Sequence, residues 1–303
     1  MARPRLAPRD LALILTVVAI WGFSFVAMKI ALREAPPFAL AALRFFFAAL
    51  PLVFFVKRPR MPWFFVVGYG FCIGVFQFGL LFLALKLGMP AGLSSVVILV
   101  QVFFTIGLAV AFLSDRLRRE DLLGAVVAAI GVVLLGAYQI LEGHAASFIG
   151  YLLVIAAALA WGIGNVIAKH AATRYGADMF ALVVWSSLVS PLPLALVSFA
   201  FEGGLGVLST VAHASALTWG CVLLLAWGAT LFGFASWAKL LHRYPTAFMA
   251  PFGLLIPVSG LASGAIFLRE ELAPLQWAGV GLVLVGLAEN VFGARMRALL
   301  RGG

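Results

Sequence analysis

The chain has 303 residues, of which 64% are hydrophobic and 11% charged, and its mean hydropathy is +1.14. Soluble domains are about 45–50% apolar and about 25% charged, so a water-soluble globule is excluded and lipid must be the main solvent. The net charge of +10 does not mark a nucleic-acid binder, because the basic residues sit in short clusters between apolar runs rather than on one face of a soluble domain.

A helix needs about 20 apolar residues to cross a hydrocarbon core. Ten runs qualify, at residues 10–32, 38–56, 63–86, 91–112, 121–140, 148–170, 177–200, 216–238, 246–268 and 274–292. The first follows a basic stretch, Met1 to Asp10. It is longer than a signal-peptide core and has no small-x-small cleavage site, so it is expected to be a retained span. The second holds an intramembrane arginine, Arg44. The third carries Gly68, Gly70, Gly74 and Gly79 at spacings that let helices approach closely in lipid, together with Gln77. The fourth follows Pro90 and contains Gln101; the sixth contains Trp161 and Asn165. Pro191 and Pro193 in the seventh, and Pro251 and Pro257 in the ninth, are placed to kink a helix or free a carbonyl. The tenth carries Glu289 near its end. The runs are continuous and too long for barrel strands, so an all-α membrane protein is expected. Cys72 and Cys221 lie inside apolar runs and suggest neither a disulfide framework nor a metal site.

Sixteen of the 21 Lys and Arg residues fall on one side of these spans. They are Arg3, Arg5 and Arg9; Lys57, Arg58 and Arg60; Arg116, Arg118 and Arg119; Lys169 and Arg174; Lys239 and Arg243; and Arg295, Arg297 and Arg301. The other side carries Lys29, Arg33, Lys86 and Arg269. The positive-inside rule then puts both termini in the cytoplasm, with residues 293–303 as a basic cytoplasmic tail.

The chain also repeats itself. Trp21-Gly22 through Lys29 returns 140 residues on as Trp161-Gly162 through Lys169. Phe112-Leu113-Ser114-Asp115 returns 155 residues on as Phe267-Leu268-Arg269-Glu270, and at that offset Pro90 meets Pro245, Gly124 meets Gly279 and Gly131 meets Gly286. Two five-span units follow, 10–140 and 148–292. An odd span count turns the second copy upside down relative to the first, and such inverted pairs place a substrate site between the halves near the midplane.

The Trp-Gly…Lys stretch opening each half, Leu43-Arg44-Phe45, the prolines that start spans four and nine, and the paired acidic loops before spans five and ten resemble the EamA family of the drug/metabolite transporter superfamily over about residues 10–292. The stretch from Lys86 to Val97, Gln101 to Thr105, and Pro257 to Ser263 is similar to that family's exporters of small amino acids and their derivatives. The resemblance implies a multi-pass protein of the cytoplasmic (inner) membrane that exports such metabolites. One ten-span chain already holds both halves, so a monomer can suffice.

Polar groups deep in lipid need partners or a purpose. Gln101, Asn165, Gln77 and Ser24 are candidates to line a path and replace the hydration of a zwitterionic cargo, against the plainer role of bonding helix to helix. Trp161 and Trp185 are candidate cavity walls, against the usual interfacial place of Trp. Arg44 is a candidate partner for a cargo carboxylate, against a role as an interfacial or structural arginine. Asp115, Glu270 and Glu271 are read as solvating their loops and capping the helices that follow them. There is no Walker A motif, HExxH or GxSxG, and the four histidines, His144, His170, His213 and His242, are scattered near loops. An enzyme is therefore not expected, and neither a cofactor nor a metal is implied. Cargoes such as aromatic amino acids, nucleobases or drugs stay open.

Overall fold

The structure is a computed structural model that describes residues 6–50, 52–143 and 145–301, without the side chains of 145–146, 246–247 and 294–301. Arg3, Arg5, His144 and the side chains of Arg295, Arg297 and Arg301 lie outside the described residues. Ten helices are long and apolar enough to cross a membrane: Pro8–Ala31, Pro37–Phe54, Trp63–Lys86, Ala91–Leu113, Arg119–Leu141, Ser147–Tyr175, Met179–Phe201, Ala216–Arg243, Phe248–Leu268 and Pro274–Gly293. These match the ten expected runs to within a few residues. The starts follow proline: Pro8, Pro37, Pro191 and Pro274 each occupy a first helical position, where the missing N–H costs nothing. Large apolar side chains such as Val126, Ile130, Val133, Leu192, Leu196 and Phe199 point away from the bundle and supply its lipid-facing surface.

Among the described residues six spans depart from a continuous α-helix, the second by closing in a 3-10 turn at Leu52–Phe54. The third widens to a π-helix over Phe71–Phe78, and the eighth does so over Leu224–Phe232. The fourth tightens to a 3-10 turn at Ile98–Val100. The seventh pauses after Ser187 and restarts at Pro191. The ninth breaks at Leu254, between Gly253 and Leu255; Pro257, four residues after Gly253, has no N–H for the Gly253 carbonyl and its ring crowds that oxygen.

Loop contacts sort the loops onto two ends, as an even number of spans requires. At the end that gathers the basic clusters, Arg243 Nη1 lies 3.1 Å from Asp10, Tyr244 Oη donates to Asp10 at 2.8 Å, and Lys169 pairs with Asp115. Asn290 Nδ2 donates to Asp121 Oδ1 at 2.7 Å there. At the opposite end three carboxylates each accept from the N-terminus of a span they do not belong to. Glu34 takes Ser215 N and Thr218 Oγ1, Glu202 takes Phe38 N and Ala39 N, and Glu270 takes Ala91 N and Gly92 N at 2.7 and 2.8 Å. A helix N-terminus offers unpaired N–H groups and a positive dipole end, so each contact is charge-assisted. The Thr218 hydroxyl and Ser215 N–H hold the Glu34 carboxyl below the usual range. Lys29 and Lys86, on the sparsely basic side in the charge pattern, donate to the closing carbonyls of each other's helices: Lys29 to Leu85 and Met89, Lys86 to Leu32.

Glycine decides the closest approach. The fifth and tenth spans run antiparallel, backbone on backbone: a carbon added at Gly124 would stand 2.4 Å from the Gly286 carbonyl oxygen, and one at Gly131 would stand 2.6 Å from that of Gly279. Because Gly124 corresponds to Gly279 and Gly131 to Gly286 in the sequence repeat, each of these contacts maps onto the other. The same holds elsewhere: Gly22 meets Ser259 and Gly260, and Gly162 meets Phe104 and Thr105.

Candidate functional site

A cavity of about 420 Å³ lies between the first, second, third, fourth, sixth, eighth, ninth and tenth spans. Small-molecule sites are commonly 300–1,000 Å³ and mostly apolar, with a few convergent polar groups. Here Ser24, Arg44, Gln77, Gln101, Trp161 and Asn165 all face it. Six of the seven sequence candidates thus meet in one space, although they come from five different spans. Trp185 stands apart: its indole N–H donates to the Val56 carbonyl at 3.0 Å and its ring meets Trp63 edge-on at 5.8 Å.

The polar wall on the sixth and fourth spans is a triangle. Asn165 Nδ2 donates to Gln101 Oε1 at 2.7 Å and to Thr105 Oγ1 at 3.1 Å, while the Thr105 hydroxyl donates to the Gln101 backbone carbonyl at 2.8 Å. No bond among the described residues engages Gln101 Nε2 or Asn165 Oδ1, so one donor and one acceptor face the cavity. Thr105 was missed by the sequence reading, although it stands one helical turn after Gln101 and so shares its face. Ser24 donates to the Ile20 carbonyl at 2.7 Å and keeps lone pairs for a ligand.

The π-helices matter at this level. The wide turn of the eighth span offers carbonyls that a regular α-helix would use itself: Ala229 O accepts from Trp21 Nε1 at 2.8 Å, and Leu225 O accepts from Thr230 Oγ1 at 2.9 Å. Thr230 Oγ1 in turn accepts from Arg44 Nη2 at 3.2 Å. Trp21 and Trp237 line the cavity with Trp161, whereas Trp227 is on the outer surface and donates to Phe47 O.

Arg44 is the outlier. It is 4% exposed, its guanidinium carbon sits 3.7 Å from the Phe78 ring centroid, and Nε and Nη1 have no partner. Gln77, 2% exposed, lines the same cavity, and its buried Oε1 has no partner. No acidic side chain lines the cavity among the described residues, and none pairs with Arg44. Nor do the described residues gather three or more His, Cys, Asp or Glu side chains that could hold a metal ion.

Glu270 corrects the expectation for the acidic loops. Rather than capping the tenth span, it reaches across to Ala91 and Gly92 on the fourth. The physical reason is local: Arg269 adopts φ 55°, a left-handed turn that redirects the chain, and Ser114 does the same at φ 57° 155 residues earlier.

Against known sequences, residues 10–137 and 148–291 each match the EamA-like transporter family. A protein of Salmonella typhimurium, described as a "Probable amino-acid metabolite efflux pump", is 42% identical over 97% of this chain and 98% of its own. One of Escherichia coli with the same description is 39% identical over 97% and 99%. A crystal structure superposes with a TM-score of 0.63 over 97% of this chain and 99% of its own, at 23% identity, which shows the fold alone.

Proposed function

Because the chain belongs to the EamA-like transporter family, we propose that it exports small amino acids or related metabolites across the cytoplasmic (inner) membrane by alternating access, with the central cavity as the cargo site. It is a multi-pass membrane transporter for small molecules rather than an enzyme. The observation that carries the cargo reading is the convergence of amides, hydroxyls and one arginine on a single intramembrane cavity. Gln101, Asn165, Gln77, Ser24 and Arg44 would replace cargo hydration, and Trp161 with Trp21 would bracket its apolar part. Trp185, bonded to Val56, is left as a structural residue.

The mechanism reading divides the chain at 10–140 and 148–292, with 293–303 as a basic cytoplasmic tail. Support comes from the two separate family matches and from helix contacts that map onto one another under the repeat. The basic end is taken as cytoplasmic on charge. One chain contains both halves, so a monomer suffices.

Purified protein in liposomes, loaded with a panel of amino acids, O-acyl amino acids, aromatic amino acids and nucleobases, should show the strongest flux for the first two classes. A larger cargo is the second reading, favoured by the aromatic walls Trp21, Trp161, Phe234 and Trp237; dominant flux of aromatic compounds would select it. Flux of none of these would reject the cargo reading.

A further inference from the structure

The geometry points to Arg44 as a carboxylate anchor that makes a cargo carboxylate obligatory, an inference that rests on the cavity being the cargo site. A buried cation without a counter-ion is costly, and the cost is relieved by an opposite charge with matching hydrogen bonds. Arg44 supplies the only charge on the cavity wall among the described residues, and two of its guanidinium nitrogens are unspoken for. Phe78 holds the guanidinium plane from one face, and Thr230 accepts one hydrogen of Nη2; the second Nη2 hydrogen together with the unpartnered Nη1 or Nε forms an edge that can meet two carboxylate oxygens in parallel. A side pocket beside it, between Arg44, Ser186, Ser187, Ser190 and Thr230, measures about 20 Å³. That is room for one water, which would satisfy a hydrogen bond but not the charge. The carboxylate must therefore arrive from the main cavity. The unpaired Oε1 of Gln77, a residue that lines that cavity, is an acceptor for the ammonium of the same cargo. A cationic amine without a carboxylate would meet Arg44 as a like charge and find no acid to pair with.

The test compares three matched compounds in the same liposomes: an α-amino acid, its α-amide and the corresponding decarboxylated amine. Wild-type flux should fall about 30-fold or more from acid to amide, as expected when one partner of a buried charge pair is removed. Arg44→Gln should lose flux of the acid by a similar factor, and Arg44→Lys should recover only part of it because the forked geometry is gone. Equal wild-type flux of acid and amide overturns the assignment, and that arm needs no variant to fold. If no amino acid moves at all, the cargo reading fails instead. Thermal stabilisation of the purified protein by a short-chain carboxylate, compared with its amide, then decides Arg44 separately: equal effects overturn the anchor.

A different set of observations carries a second inference, which rests on the inverted-repeat reading. Ala91–Val97 of the fourth span packs closely on Leu255–Leu268 of the ninth, at the end where Glu270 clasps Ala91 and Gly92. Under the repeat, that contact has a counterpart: Gln101–Leu113 against the Thr246–Gly253 segment, with Asp115 facing Thr246. Among the described residues those segments do not pack closely, and the cavity opens between them, lined by Gln101 and Val102 on one side and Ala250 and Gly253 on the other. Asp115 is instead engaged with Lys169, and both are substantially exposed. One of two equivalent closures is made and the other is not. We infer that Glu270 and Asp115 are alternating latches: export releases Glu270 from the fourth span as Asp115 leaves Lys169 for the N-terminus of the ninth.

Two cysteine pairs set beside the latches, with Glu270 and Asp115 left in place, test this in a background lacking Cys72 and Cys221 that retains flux. Glu271→Cys with Pro90→Cys should be bridged by a short reducible thiol cross-linker in the resting protein. Arg116→Cys with Pro245→Cys, their repeat counterparts, should be bridged during transport. Either bridge should cut flux at least about tenfold, and reductant should restore it. An Arg116/Pro245 pair that is never bridged in a fluxing protein, or is bridged without slowing it, overturns the latch.

Discussion

At the scale of single residues, the cavity separates groups that leave polar atoms unpaired from groups that spend them on the walls. Asn165 spends both of its donor bonds on Gln101 and Thr105. Asn165→Ala should therefore disturb two partners at once and lower flux more than Thr105→Val, measured as initial rates in liposomes at matched protein. Trp185→Phe removes one hydrogen bond to Val56, worth about 0.5–1.5 kcal/mol. It should lower the melting temperature in detergent while initial flux stays within about twofold. Of the six candidates that face the cavity, five were legible in the sequence because an amide, hydroxyl or guanidinium inside an apolar run is conspicuous, and Trp161 because it repeats Trp21. Trp185 was not, because an aromatic ring near a membrane boundary reads the same whether it walls a cavity or props a loop. Thr105 went unnoticed for the opposite reason: a Thr bonded to its own helix is ordinary.

Elements show where sequence signals stop. Proline announced the breaks in the seventh and ninth spans, and the prolines at helix starts fixed the boundaries. The π-helices at Phe71–Phe78 and Leu224–Phe232 carried no such mark; in the second, displaced carbonyls are taken by Trp21 from the first span and by the helix's own Thr230. Cross-loop capping was hidden too, because Glu34, Glu202 and Glu270 each act at the start of a helix distant in sequence. The Glu34 carboxyl is held below its ordinary range. Its contribution is therefore complete above the unfolded value and is lost as pH falls through the lower folded value. Glu34→Gln should flatten that acidic limb in thermal unfolding scans, leaving the melting temperature less sensitive to acid than in the wild type. Glycines separate in the same way. Gly131→Ala places a carbon against Gly279 and should destabilise by about 1–3 kcal/mol, whereas Gly107→Ala meets open space and should be neutral or stabilising by up to about 1 kcal/mol.

For the whole molecule, ten spans were legible because hydrocarbon thickness and backbone hydrogen bonding leave so few alternatives. The basic residues gave a side to each loop, and the described contacts place those loops together: Asp10 with Arg243, and Lys169 with Asp115. The four exceptions at the other end were harder to read. For Lys29 and Lys86 the reason is now visible, since each ammonium closes a helix C-terminus rather than signalling sidedness. Reporter tags inserted at Gly203–Gly204 and fused after Gly303 should label from opposite faces of intact cells. Labelling from one face would contradict the three spans that separate the two tags. On the inverted-repeat reading the two halves would encode both closures, so no single sequence would disclose which is made at rest.

The glycine seam between the fifth and tenth spans behaves differently from everything around the cavity. Exchanging the roles of the halves turns its two contacts into each other, so it would look the same whichever mouth is open. Backbones this close cannot slide without collision. The pair would then serve as an axle, fixed while the remaining helices rotate about it, and the work of export would fall on the spans that are broken.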